Sequence, residues 1–201
     1  MKKYERVVLL RESAMKLVAE KSLVGLSMRQ VSERSGVNQS MIYRDFKSKD
    51  NFLLACYESV NDDYLVLIRR LLREDVRNKS FNDPDIKAKW NSLVDLLIES
   101  DYKTIYHCEY RHSSFSSVNM EMMLDRVEEE VAREGASHVM ETGDAPLTAL
   151  GERGYRDVMI HFIETGINYA KKVITQENED SPDKRSAIWE LLTDGLAPVK
   201  N

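Results

Sequence analysis

The sequence lacks several features that would direct it to other classes of protein. It has only two cysteines, Cys56 and Cys108, which are too few for a disulfide framework and predict reduced thiols in a cytoplasm. Its eight glycines and four prolines exclude a collagen-like or linker-dominated chain. No apolar run approaches the roughly 20 residues of a membrane-spanning helix. Arg11 and Glu12 interrupt the first apolar run too early for a signal peptide, so we expect a cytoplasmic protein without a membrane partner.

Charge is distributed unevenly along the chain, although the net charge is only −5. Residues 1–50 hold eleven basic and six acidic side chains, whereas residues 51–201 hold 18 basic and 28 acidic ones. A basic head on an acidic body predicts that the head meets a polyanion. Chance is the competing explanation, because a surplus of five charges is a weak signal by itself.

Apolar residues recur at helical spacing along the chain, and no convincing strand is present. The sequence therefore predicts an all-α fold of about nine helices, with a helix-turn-helix domain over residues 1–48 and a helical body over residues 49–201. The predicted helices cover about 3–20, 28–35, 39–46, 49–75, 84–100, 102–112, 119–141, 152–176 and 182–194, and residues 143–151 are predicted to form a loop.

Helix boundary signals define the basic head. Ser27 and Gln30 have the spacing of a capping box, Gly36 stands where a helix end needs a left-handed residue, and Asn38 is a good N-cap. Two short helices joined by a tight turn and braced by a preceding helix form a helix-turn-helix. The residues predicted to pack inward are Met28, Val31, Val37, Ile42 and Phe46. The residues predicted to face outward, where they can contact base edges in a major groove, are Asn38, Gln39, Ser40, Tyr43 and Arg44.

Two basic residues lie in the first turns of predicted helices, where a cation opposes the helix dipole. At Arg29 and at Lys49 this placement destabilises the helix by about 0.3–1 kcal/mol. A phosphate docked at both helix N-termini would make the same cations stabilising. Exposed cations that tolerate a poor position explain the pattern equally well.

Residues 27–53 read SMRQVSERSGVNQSMIYRDFKSKDNFL, and this stretch resembles the DNA-binding region of TetR-family regulators. The resemblance covers about residues 4–57, and the spacing holds without a gap over the 27 positions quoted. The remainder of the chain resembles the family only in length and helical character. The matching positions are Gly36, Val37, Tyr43, Phe46, Lys47 and Lys49.

The resemblance implies a role for each residue of the head that faces DNA. Ser27, Arg29 and Lys49 would contact phosphate, whereas Gln39 and Ser40 would face bases. Tyr43 would contact the backbone or a thymine methyl group. The complete predicted DNA-binding set is Ser27, Arg29, Asn38, Gln39, Ser40, Tyr43, Arg44, Lys47 and Lys49.

Two residues depart from the family pattern. Ser32 replaces the usual alanine and places a hydroxyl near the first helix. Asp45 replaces a common aromatic or histidine, and an acid so near phosphate is unfavourable unless Arg44 or Lys47 offsets it. We therefore expect removal of the Asp45 charge to strengthen DNA binding.

The predicted helix over residues 152–176 has an apolar face wider than one core stripe requires. The resemblance implies that this helix and the last one pair with their copies in a four-helix dimer interface; interior helices of a monomeric core are the alternative. One helix-turn-helix reads only one half-site, which favours the dimer. The predicted interface residues are Phe162, Gly166, Ile167, Ala170, Ile188, Trp189 and Leu192.

The body is also rich in methionine and aromatic residues. The resemblance implies an effector pocket there, and such walls suit an apolar or aromatic ligand. Ordinary core packing explains the same composition. The residues predicted to line the pocket are Tyr64, Trp90, Tyr106, Tyr110, Met123, Met159 and Phe162.

Cys108 and His112 share a helix face and form the one cluster that could carry chemistry. Only two soft ligands occur there, and no phosphate loop, nucleophile elbow or zinc motif is present, so we predict no enzyme activity, no metal and no cofactor. The resemblance implies a homodimeric repressor that binds a palindromic operator in double-stranded DNA and is released by a small-molecule effector. An activator or co-regulator acting through a protein partner is the alternative.

Overall fold

The computed structural model describes residues 2–73, 83–116 and 145–194. The all-α fold is confirmed, because these residues form eight α-helices and one 3₁₀ turn, Ser114–Ser116, without a strand. None of the described helices has the length and apolar character to cross a membrane. The helices are α1 (Lys3–Lys21), α2 (Met28–Ser35), α3 (Gln39–Phe46), α4 (Lys49–Arg73), α5 (Pro84–Glu99), α6 (Asp101–Arg111), α7 (Ala145–Ile174) and α8 (Pro182–Asp194).

One predicted boundary is wrong and one prediction falls outside the described residues. Residues 145–151, assigned to a loop, form the first two turns of α7. Pro146 is compatible with this position, because the backbone N–H groups of a first helical turn have no partner within the helix. The helix predicted over about 119–141 lies outside the described residues.

The chain divides into two compact units, Met1–Tyr64 with Ser100–Met123 and Leu65–Glu99 with Leu124–Asn201. The first unit therefore contains α6 and most of α4 in addition to the three helices of the head. The division into domains at residue 48 stays a prediction.

The core of the first unit forms where α1 packs against α2 and α6. Leu10 and Ala14 of α1 are fully buried. The inward face of the head is as predicted, because Met28, Val31, Val37 and Ile42 are also buried. Phe46 is half-buried, and its ring packs edge-on against Phe52 with the centroids 4.9 Å apart. Apolar spacing in the sequence thus predicts which face of the head packs inward.

The core of the second unit forms where α5 packs against α7, and α8 closes it. Trp90 and Phe162 both pack against Trp189, with ring centroids 5.8 and 5.3 Å away. The Trp90 indole also donates a hydrogen bond to the Phe162 carbonyl at 3.3 Å. Within the described residues, the widest apolar face of α7 is therefore covered by helices of the same chain.

The predicted dimer interface stays a prediction, and the packing shows which of its residues are buried within one chain. The structure places five of the seven predicted residues in the interior of one chain: Phe162, Gly166, Ile167, Ala170 and Trp189. Side chains that are already buried offer no surface to a second copy. Ile188 and Leu192 are half-buried against the same core, whereas Leu191 is 78% exposed.

Replacing Gly166 with alanine is expected to raise the free energy of unfolding by about 0.5–1 kcal/mol, because alanine is the better helix former. An added Cβ would lie 3.6 Å from Trp90 Nε1 and 3.8 Å from the nearest atoms of Leu93 and Leu97, which are ordinary contact distances. Urea unfolding followed by tryptophan fluorescence measures the change. Ala170→Gly, one turn later, is the matched control and should lower the free energy of unfolding. A loss of stability in Gly166→Ala would contradict the packing of α5 on α7.

Candidate nucleic-acid interface

The head presents a set of exposed polar residues. Eight of the nine residues predicted to contact DNA are exposed, and only Lys49 is half-buried. Gln39 and Ser40 occupy the first two positions of α3, where a recognition helix reaches base edges. The exposed residues are Ser27, Arg29, Asn38, Gln39, Ser40, Tyr43, Arg44 and Lys47.

Local hydrogen bonds determine where α2 and α3 begin. The Ser27 hydroxyl accepts a hydrogen bond from the Gln30 amide at 3.3 Å, and the Gln30 side chain accepts one from the Ser27 amide at 2.9 Å. Gly36 ends α2 at φ +69°, a left-handed conformation that glycine adopts without strain. Asn38 Oδ1 then accepts the Ser40 amide at 2.9 Å and starts α3. The predicted capping box, glycine end and N-cap are all confirmed.

A partly buried ion pair holds α3 on α1. Arg6 donates from Nε and Nη2 to Asp45 Oδ2 at 3.0 and 2.8 Å, and the two side chains are only 11% and 6% exposed. The hydrogen bonds from Arg6 lower the pKa of Asp45 below its usual value. Arg44 Nε is farther away, at 3.5 Å from Oδ1. The Asp45 charge is therefore balanced mainly by Arg6, which the sequence reading missed because 39 residues separate the partners.

The turn after α3 is strained at Lys47. Its φ is +71°, which is unusual for a residue with a side chain, and the Ser48 amide bonds to the Phe46 carbonyl across it at 2.9 Å. The Lys47 ammonium donates to the Arg44 carbonyl at 3.1 Å on the exposed surface. This turn directs a cation outward, at the end of the predicted recognition helix.

The two cations in first turns have different surroundings. Arg29 is exposed and pairs with Glu33 one turn later at 2.8 Å, and this hydrogen bond raises its pKa. Lys49 is half-buried, and its ammonium donates to the Leu26 carbonyl at 2.7 Å. The exposed Arg29 side chain is accessible to a phosphate. The phosphate contact predicted for Lys49 stays a prediction, and a phosphate there would compete with the Leu26 carbonyl for the ammonium.

Residues 10–56 match the family model described as bacterial regulatory proteins, tetR family. The head is a TetR-family DNA-binding domain. The match covers the cap, turn and recognition helix whose geometry is given above, so the family resemblance is confirmed there. No curated protein matches the chain.

Several solved structures of TetR-family regulators share the fold of nearly the whole chain. A regulator from Marinobacter aquaeolei VT8 is 14% identical, with a TM-score of 0.69 and coverage of 96% of this chain and 97% of that one. One from Rhodococcus sp. RHA1 is 13% identical, with a TM-score of 0.62 and 98% of each chain covered. One from Haemophilus influenzae RD is 17% identical, with a TM-score of 0.59 and coverage of 94% and 95%. At these identities the likeness shows the fold.

The residues predicted to line an effector pocket fall into two sets. In the first unit, Tyr110 stacks on Tyr106 and on Tyr57, and Tyr64 bonds to Thr104 at 3.0 Å. In the second unit, Trp90 and Phe162 belong to the core described above. Met123 lies outside the described residues, and the Met159 side chain is likewise not described. All five described side chains are buried, so pocket contacts by these residues stay a prediction.

A cleft of about 300 Å³ in the second unit has a different lining. Its walls surround the start of α8, where Arg185 donates to Asp180 and to Asp95 at 2.7 Å. None of the five described residues predicted for the effector pocket lines it. The lining consists of Asn91, Asp180, Ser181, Pro182, Arg185 and Ser186.

The described contact between Cys108 and His112 runs through the backbone. Cys108 is buried, and His112 Nδ1 lies 2.7 Å from the Cys108 carbonyl oxygen. Burial also raises the pKa of the other thiol, Cys56, to about 12. Within the described residues no group of three acidic, histidine or cysteine side chains could hold a metal ion.

Proposed function

We propose that this chain is a ligand-responsive transcriptional regulator that binds a palindromic operator as a homodimer. DNA-binding regulation of transcription is the function class that the family match and the fold support. The observation that carries the proposal is the exposed polar start of α3, where Gln39 and Ser40 begin a helix braced by the pair of Arg6 and Asp45. Amide and hydroxyl groups at that position suit base-edge recognition.

The proposed DNA contacts are of two kinds, to base edges and to phosphates. Gln39 and Ser40 read base edges, while Arg29, Arg44 and Lys47 contact phosphates on either side. Ser27 and Asn38 use their oxygens to cap helices, so they contribute chiefly by placing α2 and α3. Tyr43 is 42% exposed and offers both a hydroxyl and a ring to the backbone or a thymine methyl group.

Homodimerisation supplies the second half-site. A single helix-turn-helix covers one half-site, and two-fold symmetry of the protein corresponds to a palindrome in DNA. Because the widest apolar face of α7 is already covered, we place the contact on the outer side of α8. Leu191 is exposed there, and the half-buried Ile188 and Leu192 flank it.

Ligand response would act through the body. We infer a repressor that a small apolar or aromatic effector releases from DNA, and a cytoplasmic location where both are accessible. The buried aromatic side chains of the body support an effector of that chemistry.

Footprinting on the DNA that flanks the chain's own gene tests this function. The expected result is a protected palindrome with half-site centres about 10 base pairs apart or a multiple of that spacing. Sedimentation of the free protein at micromolar concentration should show a dimer that Leu191→Glu converts to a monomer. Equal binding to unrelated DNA, or a monomeric wild type with and without DNA, would contradict the proposal.

A further inference from the structure

The cleft at the start of α8 is lined by polar side chains that all belong to the second unit. Its volume of about 300 Å³ lies at the lower end of the range for small-molecule sites and suits a molecule of monosaccharide size. Asn91 lines it from α5, and Arg185 and Ser186 line it from α8. Two helices of one compact unit thus form a site for a small polar molecule.

One of the lining residues carries a buried acceptor that receives no hydrogen bond. Asn91 Oδ1 is buried and has no donor within the described part of the chain. A buried acceptor left unpaired costs about 1–3 kcal/mol, so a ligand that donates to it recovers part of this free energy on binding. The carboxamide turns readily about its last side-chain torsion, which presents the oxygen to the cleft that Asn91 lines.

Arg185 and Asp180 form a fixed polar wall with further hydrogen-bonding capacity. Arg185 donates from Nε and Nη2 to the two carboxylate oxygens of Asp180. These hydrogen bonds lower the pKa of Asp180 below its usual value, so the carboxylate is ionised at neutral pH. Arg185 Nη1 donates to Asp95 at 2.7 Å and to the Asn91 carbonyl at 3.4 Å. Of the five guanidinium N–H groups, one on Nη2 has no acceptor among the described residues, and a carboxylate oxygen accepts more than one hydrogen bond, so the pair offers a donor beside an acceptor.

The charged side chains that bond to the lining residues balance one another. Arg185 pairs with the carboxylates of Asp180 and Asp95, and the Lys87 ammonium donates to the Ser186 hydroxyl at 3.0 Å. Two cations therefore stand against two anions, and neither an anionic nor a cationic ligand gains from a net local charge. A hydroxyl group is neutral and both donates and accepts, so it matches this mixture of donors and acceptors.

We propose that the cleft at the start of α8 binds a monosaccharide, whose adjacent hydroxyl groups bond to Asn91, Arg185 and Asp180. One hydroxyl donates to the Asp180 carboxylate while its neighbour accepts from Arg185, and a third group donates to Asn91 Oδ1. A sugar ring holds adjacent hydroxyls in place, so it loses less conformational freedom on binding than an open-chain polyol does. The site takes a different chemistry from the apolar or aromatic effector proposed above and does not depend on DNA binding.

Tryptophan fluorescence of the free protein measures this binding directly. The chain has two tryptophans, of which Trp90 precedes Asn91 and Trp189 follows Arg185 by one helical turn. Titration with D-glucose and with D-ribose should give a saturable change at millimolar concentration for at least one of them. Sorbitol, the open-chain probe, should bind more weakly, and inorganic phosphate should give no saturable change. Tighter binding of sorbitol or of phosphate than of both sugars would overturn the assignment of a monosaccharide.

Variants of the lining locate the site. Asn91→Leu removes the unpaired acceptor, so it should weaken sugar binding about tenfold while the melting temperature stays at or above that of wild type. Ser186→Ala should weaken binding about threefold. Ser92→Ala is the matched control, because Ser92 is exposed on α5 outside the cleft lining, and its sugar affinity should equal that of wild type.

Two results would overturn the proposal. The first is the lack of a saturable fluorescence change with either sugar in the wild type. The second is an unchanged sugar affinity in Asn91→Leu, which would place the binding elsewhere; if that variant does not fold, an unchanged affinity in Ser186→Ala decides the question in the same way.

Discussion

Lowering the pH from 6.5 to 4.5 is expected to reduce the free energy of unfolding by about 2–3 kcal/mol, chiefly through His107. The imidazole is buried between the aromatic rings of Tyr57 and Tyr64, with ring centroids 5.1 and 5.3 Å away. Burial lowers the pKa of His107 to about 3, and the nearby charges of Arg111 and His112 act in the same direction. The folded protein therefore keeps this ring neutral.

The direction of this pH dependence follows from the number of protons that the folded and unfolded states bind. In the unfolded chain the pKa of His107 returns to about 6.5, so between pH 6.5 and 3 the unfolded state binds one more proton than the folded state. Stability falls with decreasing pH at up to about 1.4 kcal/mol per pH unit, and the loss from this group is complete below pH 3. Most carboxylates titrate below pH 4.5, so His107 dominates the upper part of this range.

Urea unfolding between pH 7 and 4.5, followed by circular dichroism, measures this slope. The glutamine of His107→Gln cannot take up a proton, so the free energy of unfolding of this variant should depend less steeply on pH over the whole range. His112→Gln is the matched control, because His112 is exposed at the end of the same helix and its loss should leave most of the slope in place. An equally steep slope in wild type and His107→Gln would show that the ring is not held neutral.

Asp45→Asn is expected to destabilise the head by about 1.5–3 kcal/mol and to weaken operator binding. The substitution removes the charge that accepts both hydrogen bonds from Arg6 and leaves an 11% exposed guanidinium without its balancing charge. This outcome is opposite to the expectation from sequence, where Asp45 was only an acid near phosphate. The structure shows that its carboxylate points to α1 and holds α3 in place.

Thermal unfolding and operator titration measure the two effects. The double variant Arg6→Met with Asp45→Asn removes the unpaired charge and should recover part of the lost stability. Glu33→Gln removes an exposed acid that pairs with Arg29 rather than with a buried residue, so it should strengthen DNA binding. If Asp45→Asn strengthened operator binding as Glu33→Gln does, the bracing role of Asp45 would be wrong.

Local features of the head could be predicted because their partners are close in sequence. The capping box of Ser27 and Gln30, the left-handed Gly36 and the N-cap Asn38 each depend on contacts within three residues. Amphipathic spacing likewise identified Val31 and Ile42 as inward-facing. Propensity and periodicity therefore determine these elements with little help from tertiary structure.

Contacts between distant residues could not be predicted in the same way. Nothing in the spacing of Arg6 and Asp45, or of Lys49 and Leu26, indicates that they meet. The wide apolar face around Gly166 predicts a partner helix, for which the sequence offers either a second copy or the interior of the same chain. Its period, however, does not show whether that helix belongs to the same chain, and α5 covers it here.

The central claim is that the start of α3 reads bases, and the most direct test compares Gln39→Ala and Ser40→Ala on operator and scrambled DNA. At least one of them should lose about 1–3 kcal/mol of operator affinity per half-site and bind scrambled DNA as wild type does. Arg29→Ala, the phosphate control, should weaken both DNAs alike. Equal losses on operator and scrambled DNA for Gln39→Ala and Ser40→Ala would contradict the assignment of α3 as the recognition helix.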